Sequence, residues 1–295
     1  MVEANIMTKD AETKKIAVCF SGQLRTWKHC ISTWQDFFKE CREKYNIQVD
    51  VFCHFWDHNT LQHGVSMADN SGVLIDPIDR AIQIPKTEID EYLNLLKPIS
   101  YKISDIAVSK FTKQHTIEQT NAVAHRHGKS DNAWMSSQFY SIMYSAHLKR
   151  MHEVKQQFKY DVCIRMRNDL YFESLKNMIS IPDMLDIDRN TIYSCHTSVD
   201  DSQWFGRRLG DIYWYSDSPT FDKMCNFYQW LPTLGSKSFD GQPGPEHLTY
   251  FYAKMFNISI VQETNSLPKV ARDSFYTKRK QETGLGPLGD HEILC

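Results

Sequence analysis

The chain contains no long apolar run. No stretch of its 295 residues approaches the roughly 20 apolar positions needed to cross a bilayer, and Met1 to Lys15 are polar and charged, without the apolar segment of a signal peptide. Net charge is nearly absent. With 34 Lys+Arg against 36 Asp+Glu the balance is −2, which argues against a protein that coats nucleic acid, since phosphate contacts call for a basic excess. The 8 Cys include no C-x-x-C pair and no disulfide framework. Several lie in apolar runs, as in Ala17-Val18-Cys19-Phe20 and Val51-Phe52-Cys53, where a reduced thiol acts as a small hydrophobe. A reducing, cytoplasmic setting is expected, and the sequon Asn257-Ile258-Ser259 is read as incidental. No repeat, low-complexity segment or composition break divides the chain. The expected organisation is a tail over 1–14 followed by a single domain over 15–295.

Ile16 to Phe20 is apolar at every position and closed by Ser21-Gly22, the pattern of a central parallel strand buried on both faces. Trp27, Cys30, Ile31, Trp34, Phe37, Phe38 and Cys41 then recur at helical spacing, and a second strand runs from Val49 to Trp56. Strand, helix and strand make a βαβ unit. A loop is expected over 57–79 and a short helix around Ile89 to Leu96. From Ser136 to about Lys159 a long helix is expected to bury Phe139, Ile142, Met143, Ala146, Met151, Val154 and Phe158. Tyr160 to Arg167 reads as its following strand, with further strands at 191–195, 211–215 and 258–262. The fold class is α/β and Rossmann-like, a mostly parallel sheet flanked by helices.

Four segments carry chemistry. Ser21-Gly22-Gln23-Leu24-Arg25-Thr26 joins the first strand to its helix: Gly22 admits a ligand to the backbone, the helix start offers N–H groups and Arg25 suits a phosphate, so the segment reads as a diphosphate seat or as a capped turn. It lacks the P-loop pattern, so nucleoside triphosphate hydrolysis is not supported. In Arg165-Met166-Arg167-Asn168-Asp169, alternation puts both arginines on one side with Asp169 at the strand exit, fit for an anionic donor, for a divalent cation on Asp169, or for a structural ion-pair cluster. Asp201, Trp204 and Trp214, near Asp211, combine carboxylates with aromatic faces as sugar sites do, or form an acidic loop beside core aromatics. Pro245-Glu246-His247 opens a helix, which explains a proline and an acid without function; Glu246 is otherwise a candidate base. Two patterns are set aside. His54, His58 and His63 follow a strand without the helical spacing of zinc pairs, and Gly284 to Gly289 matches G-x-G-x-x-G in letters but has no strand before it and Pro287 inside it.

The run from Ile16 to Thr26, Asp50 to Trp56, Gln138 to Ser145 before Tyr160 to Leu170, Phe205-Gly206 with Asp211, and Pro245-Glu246 resembles, in this order, glycosyltransferases of large DNA viruses, marine phages and bacteria. The resemblance covers about Lys15 to Gln262. It implies a GT-A-like fold, a nucleotide-diphospho-sugar donor, a glycan or other hydroxyl acceptor, and, for a viral chain, the host cytoplasm. It implies a nucleotide near Ser21, Gly22, Gln23 and Arg25 and a reaction around Asp169 and Glu246. The chemistry of the residues themselves adds Thr26, Arg165 and Arg167 to the donor side, Asp211 as second choice of base, and Asp201, Trp204, Trp214 and His247 toward the substrate. Arg167-Asn168-Asp169 departs from the Asp-x-Asp of a typical Mn²⁺ or Mg²⁺ site by supplying only the last carboxylate. On this reading Asp169→Ala and Glu246→Ala reduce turnover far more than stability. A sulfotransferase with a sulfonucleotide donor and a non-catalytic carbohydrate-binding protein are the competing readings.

Overall fold

A computed structural model describes residues 13–60, 81–105, 130–171, 180–194, 197–199, 207–210, 213–235, 245–262 and 269–270. Seven strands form its central sheet: β1 (Lys15–Gly22), β2 (Gln48–Trp56), β3 (Ser100–Ser104), β4 (Val162–Arg167), β5 (Thr191–Ser194), β6 (Tyr213–Ser216) and β7 (Ser259–Gln262), in the order β7-β5-β6-β4-β1-β2-β3. All neighbours pair in parallel except β6, which opposes both β4 and β5. The expected class, a mostly parallel α/β sheet flanked by helices, is the observed one.

β1 is apolar on both faces because both are covered. Ile16, Val18 and Phe20 pack under α1 (Trp27–Tyr45) and α2 (Lys86–Leu96), while Ala17 and Cys19 face the layer formed by α3 (Ser130–Gln156) and, after the short α4 (Ile181–Leu185), by α5 (Ser218–Cys225), α6 (Phe227–Gly235) and α7 (Pro245–Met255). The buried face of α1 is the one its periodicity predicts: Trp27, Cys30, Trp34, Phe37, Phe38 and Cys41. The helix ends at Asn46, in the left-handed region at φ 53°, where Ile47 N–H donates to the Cys41 carbonyl.

The long helix departs from expectation. Phe139, Ile142 and Ala146 are buried, but Met151 and Val154 are 53% and 66% exposed. The face they were expected to share with the core is taken by Ser141, Ser145, Lys149 and Glu153, four polar residues spaced by four and all buried. An apolar count cannot find such a stripe, since each member is buried only because a partner waits across the interface. Also unforeseen are β3, an edge strand whose Ser-Tyr-Lys-Ile-Ser sequence has no apolar run, and α5 and α6, the first of which starts after Asp217 with Ser218-Pro219 in its first turn.

Candidate active site

The long helices joined to the two central strands lie on opposite faces of the sheet. After β1 the chain enters α1 on one face, while α3, which precedes β4, lies on the other. The carboxyl ends of β1 and β4 therefore border the crevice in which ligands of open α/β sheets bind. Ser21 to Thr26 leaves β1 there, and Arg167-Asn168-Asp169 leaves β4 beside it, with Ser21 opposite Arg167 in register.

Asp169 is the centre of the cluster. Its side chain is 2% exposed and takes both Nε (2.8 Å) and Nη2 of Arg167, while Arg25 Nη1 reaches it at 3.4 Å. Burial alone would push this carboxyl up, but Arg167 and then Arg25 outweigh it and hold Asp169 below the usual carboxylate range. Arg25 is braced further by Gln23, whose Oε1 accepts from its Nε at 2.9 Å, and by Asn59, whose Oδ1 accepts from its backbone N–H at 3.0 Å. Its own φ is 44°, left-handed for a side-chain-bearing residue, so the turn is held against local preference. Gly22 is also left-handed, at φ 107°, and a Cβ built there would meet nothing within 4 Å. Glycine is therefore required by the backbone bend, which opens toward free space.

Both turns are anchored from the sides. On the α3 face, Gly22 N–H donates to Ser141 Oγ at 2.8 Å, and that oxygen also meets His54 Nδ1 at 2.7 Å. The other ring nitrogen of His54 pairs with Ser104 Oγ at 3.0 Å. Both nitrogens serve neutral hydroxyl partners, which accounts for this histidine without a metal; His58 likewise has Nδ1 on Asp57 at 2.6 Å. His63 lies outside the described residues. On the α1 face, Trp34 Nε1 donates to the Leu170 carbonyl at 2.9 Å and fixes the chain just beyond Asp169.

Burial, with Lys102 adding a smaller push, drives the His54 imidazole down to about 3. It is neutral in the fold while an unfolded histidine protonates near ~6.5. Its contribution to stability is thus complete above that value and declines as pH falls toward the folded one. Between pH 6 and 4 this site alone should cost on the order of 1 kcal/mol per pH unit. A His54→Gln variant should show a shallower acid limb in urea unfolding, and an identical slope would refute the assignment.

The remaining expected site residues divide clearly. Arg165 and Arg167 share one face of β4, as alternation requires, but Arg165 lies one pleat deeper, 1% exposed, between Cys19 of β1 and Trp214 of β6. Trp214 is 2% exposed and packs against Phe221 with ring centroids 4.9 Å apart. That is a place in the core and not on a sugar-stacking surface, so its expected substrate role is not what the packing offers. Strand β6 simply needed an inward aromatic there. Thr26 stands at the start of α1 without a side-chain cap to it. Glu246 and His247, half-buried, begin α7 on the Arg167 side of the sheet, with Pro245 as the first helical residue. Asp201, Trp204 and Asp211 lie outside the described residues, as do Phe205-Gly206 and the stretch from Gly284 to Gly289.

Among the described residues this arrangement does not suit a divalent cation. The single carboxylate of Asp169 has its oxygens turned to two guanidinium groups, and among the described residues no three His, Cys, Asp or Glu side chains come together as a metal site would need. Sequence reasoning missed Ser141, Asn168 as a link, Tyr92 and Trp34, which hold the two turns. The signal was faint, since buried polar groups in apolar helices resemble ordinary helix residues until their partners are known. No described helix is long and apolar enough to cross a membrane.

No protein-family model and no curated protein matches the chain. Among solved structures it is similar to the crystal structure of mouse xyloside xylosyltransferase 1 in its apo form, with a TM-score of 0.41 and 10% identity over 85% of this chain and 84% of that one. A likeness at that level carries no argument, and the fold class rests on the sheet described above.

Proposed function

We propose that the chain is a glycosyltransferase, moving a sugar from a nucleotide-diphospho-sugar to a glycan or other hydroxyl acceptor, with residues 15–295 acting as one domain. The observation that carries this reading is the meeting of Arg25 and Arg167 at the ends of β1 and β4, beside the open bend at Gly22. Two guanidinium groups at the sheet's crevice suit the two negative charges of a diphosphate better than any neutral ligand. As the sugar–oxygen bond breaks, Arg25 and Arg167 stabilise the charge that develops on the leaving diphosphate, with Arg165 beneath them. Glu246 takes the proton of the attacking hydroxyl, and Asp211 is the second choice for that role. Because Asp169 is already ion-paired, it sets the two cations rather than contacting the sugar.

The test is release of nucleoside diphosphate from a panel of nucleotide sugars, with and without EDTA, alongside thermal shifts. One donor should raise the melting temperature and turn over, and EDTA should leave the binding intact; Arg25→Gln should abolish the shift. Stabilisation by a sulfonucleotide alone would transfer the site to sulfotransfer. Glycan binding with no nucleotide affinity would make the protein a carbohydrate-binding module.

A further inference from the structure

For Arg25 and Arg167 to grip one anion, the turn after β1 and the turn after β4 must keep a fixed spacing, and the backbone ladder between the strands stops at Ser21 and Arg167. Beyond that point the Arg25–Asp169 pair joins them, and so does a second, neutral side chain. Asn168, 3% exposed, donates from Nδ2 to the Gln23 carbonyl at 3.3 Å. Its Oδ1 accepts a short hydrogen bond from the Tyr92 hydroxyl of α2. The amide can face only one way under these two demands: the tyrosine proton claims the oxygen, which turns the nitrogen toward Gln23.

Tyr92 itself has little freedom. It is 1% exposed, with Trp27 and Phe55 edge-on to its ring at 5.2 and 5.5 Å. Trp27 is in turn tied to α2 by Nε1 donating to Glu88 at 3.0 Å, and Lys28 pairs with Glu91 at 2.7 Å. Helix α2 is therefore clamped to α1, and the hydroxyl is delivered to Asn168 from a rigid support.

We propose that Tyr92 is a positioning residue for the diphosphate seat: acting through Asn168, its hydroxyl sets the distance between the turns that present Arg25 and Arg167. As far as the ligand is concerned this rests on the transferase reading; the spacing of the turns does not. No feature of the sequence points to Tyr92, which sits in α2 where an apolar residue would serve the packing equally well.

Tyr92→Phe keeps the ring and removes only the hydroxyl. Backbone hydrogen exchange should rise several-fold in peptides spanning 22–26 and 167–170, with Ile16 to Phe20 unchanged. In titrations with UDP and GDP, the diphosphate that binds wild type should bind the variant about tenfold more weakly, the effect of one buried hydrogen bond. In an Asn168→Ser background the same substitution should add little, because the route is already cut. Tyr92→Leu, which also loses the ring, should lower the melting temperature as well and so separates packing from the hydroxyl. Unchanged exchange in both turns, or an effect of full size in the Asn168→Ser background, overturns the proposal. If wild type binds neither diphosphate, the transferase reading fails on its own, and the exchange data still decide whether Tyr92 spaces the turns.

Discussion

Asp169→Asn should abolish turnover and, unlike a lesion confined to chemistry, should also cost about 2 kcal/mol of stability. The side chain keeps its shape but loses the charge that two guanidinium groups share. Arg167 and Arg25 are 18% and 15% exposed, so solvent relieves only part of their repulsion. The amide can accept from one arginine in place of a carboxylate but presents its own N–H groups to the other. The sequence alone led to the expectation that this position matters for turnover far more than for folding; the buried ion pairs add an expected cost in stability.

The pH dependence follows from the direction of its shift. Arg167 and Arg25 hold the folded carboxyl below its ordinary value against the opposing effect of burial. The stabilisation is therefore fully present above the unfolded carboxylate value of ~3.9 and disappears as pH falls through the lower folded value. Urea midpoints of wild type and Asp169→Asn should stay separated from pH 7 down to about 4 and converge only below it. Equal midpoints at pH 7 would show that the cluster adds nothing to the fold.

The parts of the molecule legible in sequence were those in which one residue announces its environment by itself. Five consecutive apolar residues from Ile16 require cover on both faces, and the periodic aromatics of α1 require a sheet beneath them; both are where they should be. Strand alternation likewise placed Arg165 and Arg167 on one face. What remained hidden was relational. Lys149 reads as a solvated helix residue until Ser218 and Asp222 are brought against it, and Asn168 reads as a turn residue until Tyr92 arrives from 76 positions away. Trp214 was the converse error: an aromatic beside acidic residues has the composition of a sugar site, yet its strand position turns it inward.

Lys149→Met should be the most destabilising single substitution away from the site, at about 3–5 kcal/mol. Its ammonium is fully buried and donates to Ser218 Oγ at 2.7 Å and Glu153 Oε2 at 3.2 Å, with Asp222 Oδ1 at 2.9 Å. Burial works against this charge, but Cys163, Asp222 and Glu153 prevail and keep it above the ordinary lysine value. Removing it takes a cation from two carboxylates. Glu153 retains Lys159 at 2.7 Å and the Tyr160 N–H at 3.1 Å, whereas Asp222, which burial already pushes up, is left among the described residues with a distant Lys159 at 4.0 Å as its ion pair and should protonate. Location separates this effect from function. Lys149 stands eight residues along α3 from Ser141, roughly 12 Å toward the amino ends of the strands and away from the seat that Ser141 supports. The variant should therefore unfold at lower urea yet, while folded, bind nucleoside diphosphate with wild-type affinity. An equal fall in affinity would mean that α3 transmits strain from its buried charges to Gly22, and the two ends of the helix would have to be treated as one unit.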